Sequence, residues 1–257
     1  MGGAGAYLLK TAEGYQSVDD LAGTEAGEFA TGTSIFDPTL AELSYRWFCP
    51  PGGLVLDSFA GGSVRGIVAS KLGMRYVGID LSARQIAANR VQAARICDPD
   101  NQPQWLVGSS IDVETLAAGV EADFLFTCPP YGFLEVYSDD PQDLSNMTYP
   151  QFREVYGAII AASVRMLKPN RFAGIVVGDF RDKDGFYHNF PGHTVDLFEA
   201  AGARLYNSAI LVTAIGSLPV RFTRQFVAGR KLGRTHQEIY FFCKGDPKRA
   251  AAAIKGE

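Results

Sequence analysis

The residues with the most evident chemistry are Cys128-Pro129-Pro130-Tyr131, which follow an apolar run of strand-forming residues at 122–127. A buried strand of this composition normally ends in a Gly, Asn or Asp turn. Consecutive prolines instead fix two φ angles and hold the next side chain in a set direction. Tyr131 supplies a flat ring that can stack on a planar ligand, and the prolines leave main-chain carbonyls without competing local N–H donors. This corner favours the binding of an amino-bearing heterocycle.

A second candidate site is the glycine-rich turn Asp57-Ser58-Phe59-Ala60-Gly61-Gly62-Ser63, which joins a predicted strand to a predicted helix. Glycines let the backbone approach a ligand, and the amino end of the following helix faces it. The spacing differs from the G-x-G-x-x-G of a dinucleotide site. Taken alone, the turn also suits a strand–helix connection that binds nothing.

Two acids follow the next two predicted strands. Asp80 ends the second strand, about twenty residues beyond the glycine turn, where an acid of a doubly wound fold hydrogen-bonds ribose hydroxyls. Its alternative is a helix N-cap, a role that Ser82 can fill instead. Asp112 follows the third strand, where it can accept a hydrogen bond from an adenine amino group or be a plain loop residue. Together with the glycine turn, these acids predict a nucleoside pocket.

These residues need a sheet to bring them together, and the hydrophobic pattern provides one. Strand and helix signals alternate regularly along most of the chain, which predicts an α/β fold with a mostly parallel, doubly wound, seven-stranded sheet, helices on both faces and an antiparallel edge hairpin. The predicted strands are 54–59, 75–80, 104–107, 124–127, 172–177, 204–212 and 238–244. The predicted helices are one starting at Pro38 and ending before Pro50, then 63–72, 82–95, 149–167 and 194–201.

The pattern predicts one α/β domain over 34–249, preceded by an irregular arm over 1–33 and followed by a tail over 250–257. Charge is uneven within that domain, because no acidic residue occurs between Glu199 and Glu238. The basic residues of the insertion 213–237 predict phosphate contacts and nucleic-acid binding; they are Arg221, Arg224, Arg230, Lys231 and Arg234.

Composition narrows the class of protein further. The 257 residues are 47% hydrophobic and 20% charged, with a formal net charge of −4, which excludes a chain that is basic throughout. The sequence shows no secretory segment and no apolar run of membrane-spanning length, so we expect an intracellular, cytoplasmic protein without a membrane partner. Four scattered cysteines and three histidines indicate neither a metal site nor a disulfide framework.

Most of the chain resembles the S-adenosylmethionine-dependent amino-methyltransferases of DNA. The motifs that carry the resemblance are, in chain order, Ser34-Ile35-Phe36-Asp37-Pro38, Asp57-Ser58-Phe59-Ala60-Gly61-Gly62, Gly78-Ile79-Asp80-Leu81-Ser82 and Cys128-Pro129-Pro130-Tyr131. The resemblance implies that S-adenosylmethionine is the cofactor and that a DNA base, flipped out of its helix, is received by Pro129, Pro130 and Tyr131. It also implies a methyl-donor site lined by Phe36, Asp57, Phe59, Ala60, Gly61, Asp80, Leu81 and Asp112.

Cys128 departs from that family, whose pattern has Asp, Asn or Ser at the position. Those residues accept a hydrogen bond from the exocyclic amino group, whereas a thiol is a poor acceptor. Three interpretations follow: an active variant in which the Pro129 carbonyl holds the amino group, an inactive nucleic-acid binder, or a thiolate that attacks a cytosine ring carbon. The sequence also leaves open RNA as the substrate, a homodimer as the oligomeric state, and a partner nuclease for restriction–modification.

Overall fold

The computed structural model describes residues 8–11, 14–17, 36–132, 138–212 and 221–255. The chain divides into two compact units. The large unit comprises 36–214 and 234–257, and the small unit comprises 1–35 and 215–233. Among the described helices, none combines the length and the apolar character needed to cross a bilayer.

The large unit is built on a seven-stranded sheet of order β5-β4-β3-β6-β7-β9-β8. Strands β3 to β7 pair in parallel, and β9 pairs antiparallel with both β7 and β8, which confirms the predicted fold class with its antiparallel edge. The strands are β3 (Leu54–Asp57), β4 (Arg75–Asp80), β5 (Gln104–Val107), β6 (Ala122–Thr127), β7 (Leu167–Val177), β8 (Arg204–Val212) and β9 (His236–Lys244).

Seven helices of the large unit are described, and the sequence explains where several of them begin. The Asp37 carboxylate caps the first helix by accepting the N–H groups of Thr39 and Leu40, and Pro38 occupies the first turn, where its missing N–H costs nothing. The helices are α1 (Pro38–Phe48), α2 (Val64–Lys71), α3 (Ala83–Ile96), α4 (Val113–Leu116), α5 (Tyr149–Met166), α6 (Phe190–Ala200) and α8 (Pro247–Lys255).

The core has two layers, one on each face of the sheet. Strand β6 shows why, because all six of its residues are buried and successive side chains point to opposite faces. Phe124 and Phe126 join the layer that includes α1, α2, α3 and α8, while Leu125 joins the layer that includes α4, α5 and α6. Both faces are therefore covered, and the loops at the strand ends remain as the place for a site.

The small unit contains two described elements that the sequence pattern did not predict. One is a hairpin of β1 (Leu8–Thr11) and β2 (Gly14–Ser17), within the arm expected to be irregular. The other is helix α7 (Arg221–Gly229), within the basic insertion, for which the sequence pattern predicted no helix. Residues 213–220 of that insertion lie outside the described residues.

The predicted tail over 250–257 is wrong for residues 250–255. They continue helix α8, whose Ala250 is fully buried against the sheet core. An alanine-rich run has high helix propensity, and the packing of its small side chains against α1 and β7 stabilises it.

Candidate active site

The candidate site lies where the strand order reverses. Strands β3 and β6 are neighbours in the sheet but not in the chain, and each continues at its carboxyl end into a loop rich in predicted site residues. Asp57 ends β3, and Thr127 ends β6 immediately before Cys128. In open α/β sheets, ligands bind in the crevice outside the carboxyl ends of strands at such a reversal.

Asp57 is fully buried at the centre of a hydrogen-bond network and is not an exposed residue of the pocket. Its carboxylate accepts hydrogen bonds from Arg65 Nε at 2.6 Å, the Tyr76 hydroxyl at 2.7 Å, the Thr127 hydroxyl at 2.7 Å and the Phe59 N–H at 3.1 Å. Burial and the adjacent carboxylate raise the pKa of Tyr76, so its hydroxyl stays protonated and donates. Each carboxylate oxygen has two partners, so Asp57 shapes the turn from inside.

The glycine turn is held on both sides by side chains of β4 and α3. Gly61 has a left-handed φ of +51°, which favours glycine, and its N–H donates to Asp80 Oδ2 at 2.9 Å. Its carbonyl accepts a hydrogen bond from Asn89 Nδ2 at 2.8 Å. A Cβ added at Gly61 or Gly62 would meet no atom of the described residues within 4 Å. The turn is thus fixed while space remains beside it for a ligand.

Asp80 binds the glycine turn and is not the N-cap of the following helix, because Ser82 is that N-cap. Ser82 is the N-cap of α3, where its hydroxyl accepts the N–H of Gln85 at 3.2 Å. The Asp80 carboxylate accepts the N–H groups of Gly61 and Ser82, and burial raises its pKa although these bonds act in the opposite direction. Asp80 and Leu81 are both half-buried and retain exposed surface at the sheet edge.

The loop after β5 reaches the same edge. Gly108 N–H donates to the Asp80 carbonyl at 3.0 Å, and the Ser110 hydroxyl donates to the Ser58 carbonyl. Asp112 follows in the same short 3₁₀ turn, and its side chain is exposed. The structure therefore brings the loops of β3, β4 and β5 together, as the sequence predicted for a nucleoside pocket.

Two phenylalanines lie near the turn with part of each ring exposed. Phe36 packs edge-on against Phe126 with ring centroids 5.8 Å apart, and the Arg65 guanidinium lies 4.6 Å from its centroid. Phe59 packs against Tyr156 at 6.1 Å, while its neighbour Ala60 is fully buried. Both rings can offer apolar surface to a bound nucleoside.

The corner after β6 is anchored through Tyr131. Its hydroxyl accepts a hydrogen bond from Gln237 Nε2 at 3.0 Å and lies 3.7 Å from Cys128 Sγ. Its ring packs edge-on against Phe190 at 6.3 Å. Pro129 is buried, while Cys128, Pro130 and Tyr131 are half-buried.

Gly132 explains how the chain turns after this corner. It has a φ of +56°, and a Cβ at this position would lie 2.7 Å from the Phe180 ring. Any other residue would combine backbone strain with a clash. Gly132 therefore lets the chain pass close to Phe180 in the loop that follows β7.

The basic segment divides between the two units. In the small unit, Arg224 and Arg230 are exposed, Lys231 is half-buried, and the Arg230 guanidinium lies 5.2 Å from the Phe226 ring. The side chain of Arg221 lies outside the part that is described. In the large unit, Arg234 is half-buried and forms an ion pair with Glu238.

The sequence analysis missed four residues of this site: Arg65, Tyr76, Thr127 and Gln237. Tyr76, Thr127 and Gln237 contact predicted residues that are distant along the chain, whereas Arg65 contacts Asp57 from the neighbouring helix. The one local signal was an arginine eight positions after Asp57, inside an otherwise apolar stretch of α2. Among the described residues, no group of three or more His, Cys, Asp or Glu side chains is arranged to hold a metal ion.

Comparisons with known proteins bear on the fold. No protein-family model matches the chain, and no curated protein matches it. TrmN from Thermus thermophilus aligns with a TM-score of 0.56 and 15% identity over 84% of this chain, which spans about half (51%) of the TrmN chain. A TehB-like SAM-dependent methyltransferase from Corynebacterium glutamicum aligns with a TM-score of 0.50 and 17% identity, covering 88% of this chain and 97% of its own.

Magnesium protoporphyrin IX methyltransferase from Synechocystis, crystallised with SAM, aligns with a TM-score of 0.51 and 12% identity over 88% of this chain and 94% of its own. The chain therefore has the Rossmann-like fold of class I methyltransferases. At these identities the likeness defines the fold and leaves the acceptor of the methyl group undefined.

Proposed function

We propose that this chain transfers a methyl group from S-adenosylmethionine to an exocyclic amino group of a base in DNA, either adenine N6 or cytosine N4. The observation that carries the proposal is that the glycine turn and the Pro-Pro-Tyr corner leave adjacent strands of a class I methyltransferase fold. The Thr127 hydroxyl joins them, because it donates to Asp57 and accepts the Phe59 N–H at 3.0 Å. A donor site and an acceptor site are thereby held side by side.

The donor side fits a nucleoside-bearing cofactor. Asp80 has free acceptor capacity for ribose hydroxyls beyond the two N–H bonds it accepts, and Asp112 is exposed where an adenine amino group can reach it. Phe36 and Phe59 supply apolar surface, and the space beside Gly61 admits a ligand close to the backbone. Bound there, S-adenosylmethionine supplies an electrophilic methyl group on its sulfonium.

The acceptor side works by positioning. Tyr131 stacks on the flipped base, and the Pro129 carbonyl accepts one amino hydrogen so that the nitrogen lone pair points at the methyl carbon. Bound S-adenosylmethionine would supply the methyl group, and because the amino proton could leave after the transfer, the residues need not include a strong general base. Gln237 fixes the Tyr131 hydroxyl during this alignment.

Nucleic acid is the proposed partner because cations and aromatic rings interleave in the basic insertion. Arg224, Arg230 and Lys231 are suited to phosphates, and Phe226 is exposed among them. We assign Arg221 to the same group by its place at the start of α7. Arg234 contributes less, since its guanidinium already pairs with Glu238. DNA is favoured over RNA by the motif resemblance, and matched assays separate them.

Tyr131 provides the first test. Tyr131→Ala removes the stacking ring, so we expect methyl transfer to DNA to fall by about a hundredfold or more while the Kd for S-adenosylmethionine stays the same. The control is Tyr131→Phe, which keeps the ring and loses only the hydroxyl bonded to Gln237; most activity should remain. Loss of donor binding in Tyr131→Ala would mean that the base pocket is wrongly placed.

Cys128 provides the second test, since Cys128→Ser restores an oxygen acceptor at a similar size. For amino methylation, we expect Cys128→Ser to keep or increase activity, because the hydroxyl accepts from an amino group better than a thiol does. If Cys128 acted as a thiolate nucleophile, the Cys128→Ser variant would lose all activity, and the wild-type protein would form a covalent adduct with DNA carrying 5-fluorocytosine. Donor binding without turnover on either DNA or RNA would identify a non-catalytic binder.

A further inference from the structure

Arg65 is a buried cation whose side chain forms its hydrogen bonds with Asp57, Phe59 and Ala60 of the glycine turn. Its Nε donates to Asp57 Oδ2, and its Nη2 donates to the carbonyls of Phe59 at 2.5 Å and Ala60 at 3.1 Å. Only 5% of the side chain is exposed, and none of Asp57. The guanidinium therefore connects α2 to three consecutive features of the turn: the end of β3 and the two peptides that lead into Gly61.

The charge of Arg65 is secure in this environment. Burial lowers the pKa of Arg65, but Asp57, Tyr76 and Cys128 together raise it by more, so the guanidinium stays protonated. A buried ion pair contributes little net stability relative to apolar packing of the same volume. The pair is better explained by geometry: a planar fork with fixed donor directions can hold two carbonyls and a carboxylate at once.

The hydrogen bonds from Arg65 fix the orientation of two peptide groups, Phe59–Ala60 and Ala60–Gly61, beside the proposed donor site. With their carbonyls held by Arg65, the Ala60 N–H donates to the Ile79 carbonyl at 2.9 Å and the Gly61 N–H donates to Asp80. Both bonds run from the turn to β4. The Arg65 guanidinium also lies against the Phe36 ring, so one side chain contacts the turn and an apolar residue of the proposed donor pocket.

We propose that Arg65 is a positioning residue for the methyl-donor turn, in which its guanidinium holds the Phe59 and Ala60 carbonyls and so presents the Gly61–Gly62 backbone to the donor. The inference rests on the proposed function for the identity of the ligand. The orientation of the turn can be measured without any ligand, so failure of one claim is distinguishable from failure of the other.

The test variant is Arg65→Lys, which keeps the charge beside Asp57 but loses the planar fork. Its matched control is Arg171→Lys, because Arg171 Nε pairs with Asp123 at 3.2 Å at the opposite edge of the sheet. Amide hydrogen exchange of the ligand-free proteins is the first readout. The reporters are the Ala60 and Gly61 amides at the turn and the Leu54 amide, which donates to Asp123 at 3.0 Å.

We expect Arg65→Lys to speed exchange of the Ala60 and Gly61 amides about tenfold and to leave the Leu54 amide unchanged, with Arg171→Lys showing the reverse pattern. The Kd for S-adenosylmethionine should rise about tenfold in Arg65→Lys and stay constant in Arg171→Lys. Unchanged Ala60 and Gly61 exchange, or equal acceleration of all three amides, would overturn the proposal. If the two variants show this exchange pattern but the wild-type protein does not bind S-adenosylmethionine, the proposed function is overturned and the positioning role of Arg65 is not.

If Arg65→Lys does not fold, the double variant Asp57→Asn/Arg65→Gln replaces it, because removing both charges leaves neither one buried alone. The same amides report on it. Faster exchange confined to Ala60 and Gly61 is again the expected result, and exchange as slow as in the wild type would overturn the proposal.

Discussion

Two aspartates on adjacent strands of the sheet form ion pairs with arginine, one at the carboxyl ends of the strands and one at the amino ends. Asp57 ends β3 at the carboxyl edge and binds Arg65, while Asp123 lies near the start of β6 at the amino edge and binds Arg171 and Lys168. Asp57 and its partner are almost completely buried. The partners of Asp123 are 21% and 32% exposed for Arg171 and Lys168. Similar chemistry therefore occurs in two different settings.

The two pairs connect to different things. Asp123 accepts the Leu54 N–H and the cations of β7, so it fastens β6 to the beginnings of neighbouring strands. Asp57 fastens the glycine turn to the end of β6 through Thr127. The ion pairs of Asp123 therefore stabilise the sheet, whereas the ion pair of Asp57 with Arg65 sets the geometry of the proposed site.

The largest expected effect separates the two aspartates by stability. Asp57→Asn leaves the buried Arg65 charge without its partner, and we expect a loss of about 3–5 kcal/mol in the free energy of unfolding. Asp123 is also buried, but its partners Lys168 and Arg171 are 32% and 21% exposed, so water can solvate both cations once the carboxylate is lost, and Asp123→Asn should cost less, about 1–3 kcal/mol. Urea unfolding of both variants measures the difference. Equal losses would remove the distinction between the two edges.

Asp80 and Asp123 should differ in their effect on donor affinity. Asp80→Asn removes the negative charge and replaces one of the two oxygens proposed to accept the ribose hydroxyls with an N–H donor, so donor affinity should fall about tenfold or more, while Asp123→Asn should leave it unchanged. Because burial raises the pKa of Asp80, the carboxylate protonates at a higher pH than an ordinary aspartate. Donor affinity should therefore decline on acidification from a pH above the usual aspartate range. Calorimetric titrations at several pH values would detect this decline, and its persistence in Asp80→Asn would contradict the assignment.

Asp123 should show a pH dependence in stability, and at a lower pH than Asp80, because its pKa is shifted in the opposite direction. Burial raises its pKa, but Lys168, the Leu54 N–H and Arg171 lower it by more, so the folded pKa lies below the ordinary value. A carboxyl group of this kind stabilises the fold at pH values above its unfolded pKa of about 4, and the contribution is lost as the pH falls through the folded value. The stability difference between wild type and Asp123→Asn should shrink over that range. A difference that is constant with pH would contradict the role of the charge.

The smallest effect is expected at the surface pair of Glu114 and Arg165. Their side chains are 49% and 59% exposed, so water competes for both charges. Glu114→Gln should leave the Tm and donor affinity at wild-type values in thermal melts and titrations. A large drop in either quantity would show that exposed pairs matter here as much as buried ones.

The parallel part of the sheet was predictable because its strands contain short apolar runs that end at or next to Gly, Pro or Asp, and because helical patterns separate them. Boundaries of β4, β5 and β8 agree with the prediction to the residue. Helix α8 was missed, since an alanine-rich segment at the end of a chain becomes a packed helix only through contacts that the sequence does not display.

The loops that make up the candidate site could be predicted from the sequence, and the buried residues behind them could not. The glycine turn, Asp80 and the Pro-Pro-Tyr corner each have a local pattern. Arg65 has the appearance of a solvated helix arginine until Asp57 and the Phe59 carbonyl are brought beside it by the fold. For the same reason, Asp57 was assigned to the pocket wall, although its four partners surround it completely.

The most direct test of the central claim is methyl transfer by the purified protein from S-adenosylmethionine with a deuterated methyl group. Matched DNA and RNA substrates are incubated, digested to nucleosides and analysed by mass spectrometry, with Tyr131→Ala as the inactive control. We expect deuterated N6-methyldeoxyadenosine or N4-methyldeoxycytidine, from DNA only. Label in ribonucleosides, on cytosine C5, or in neither nucleic acid would contradict it.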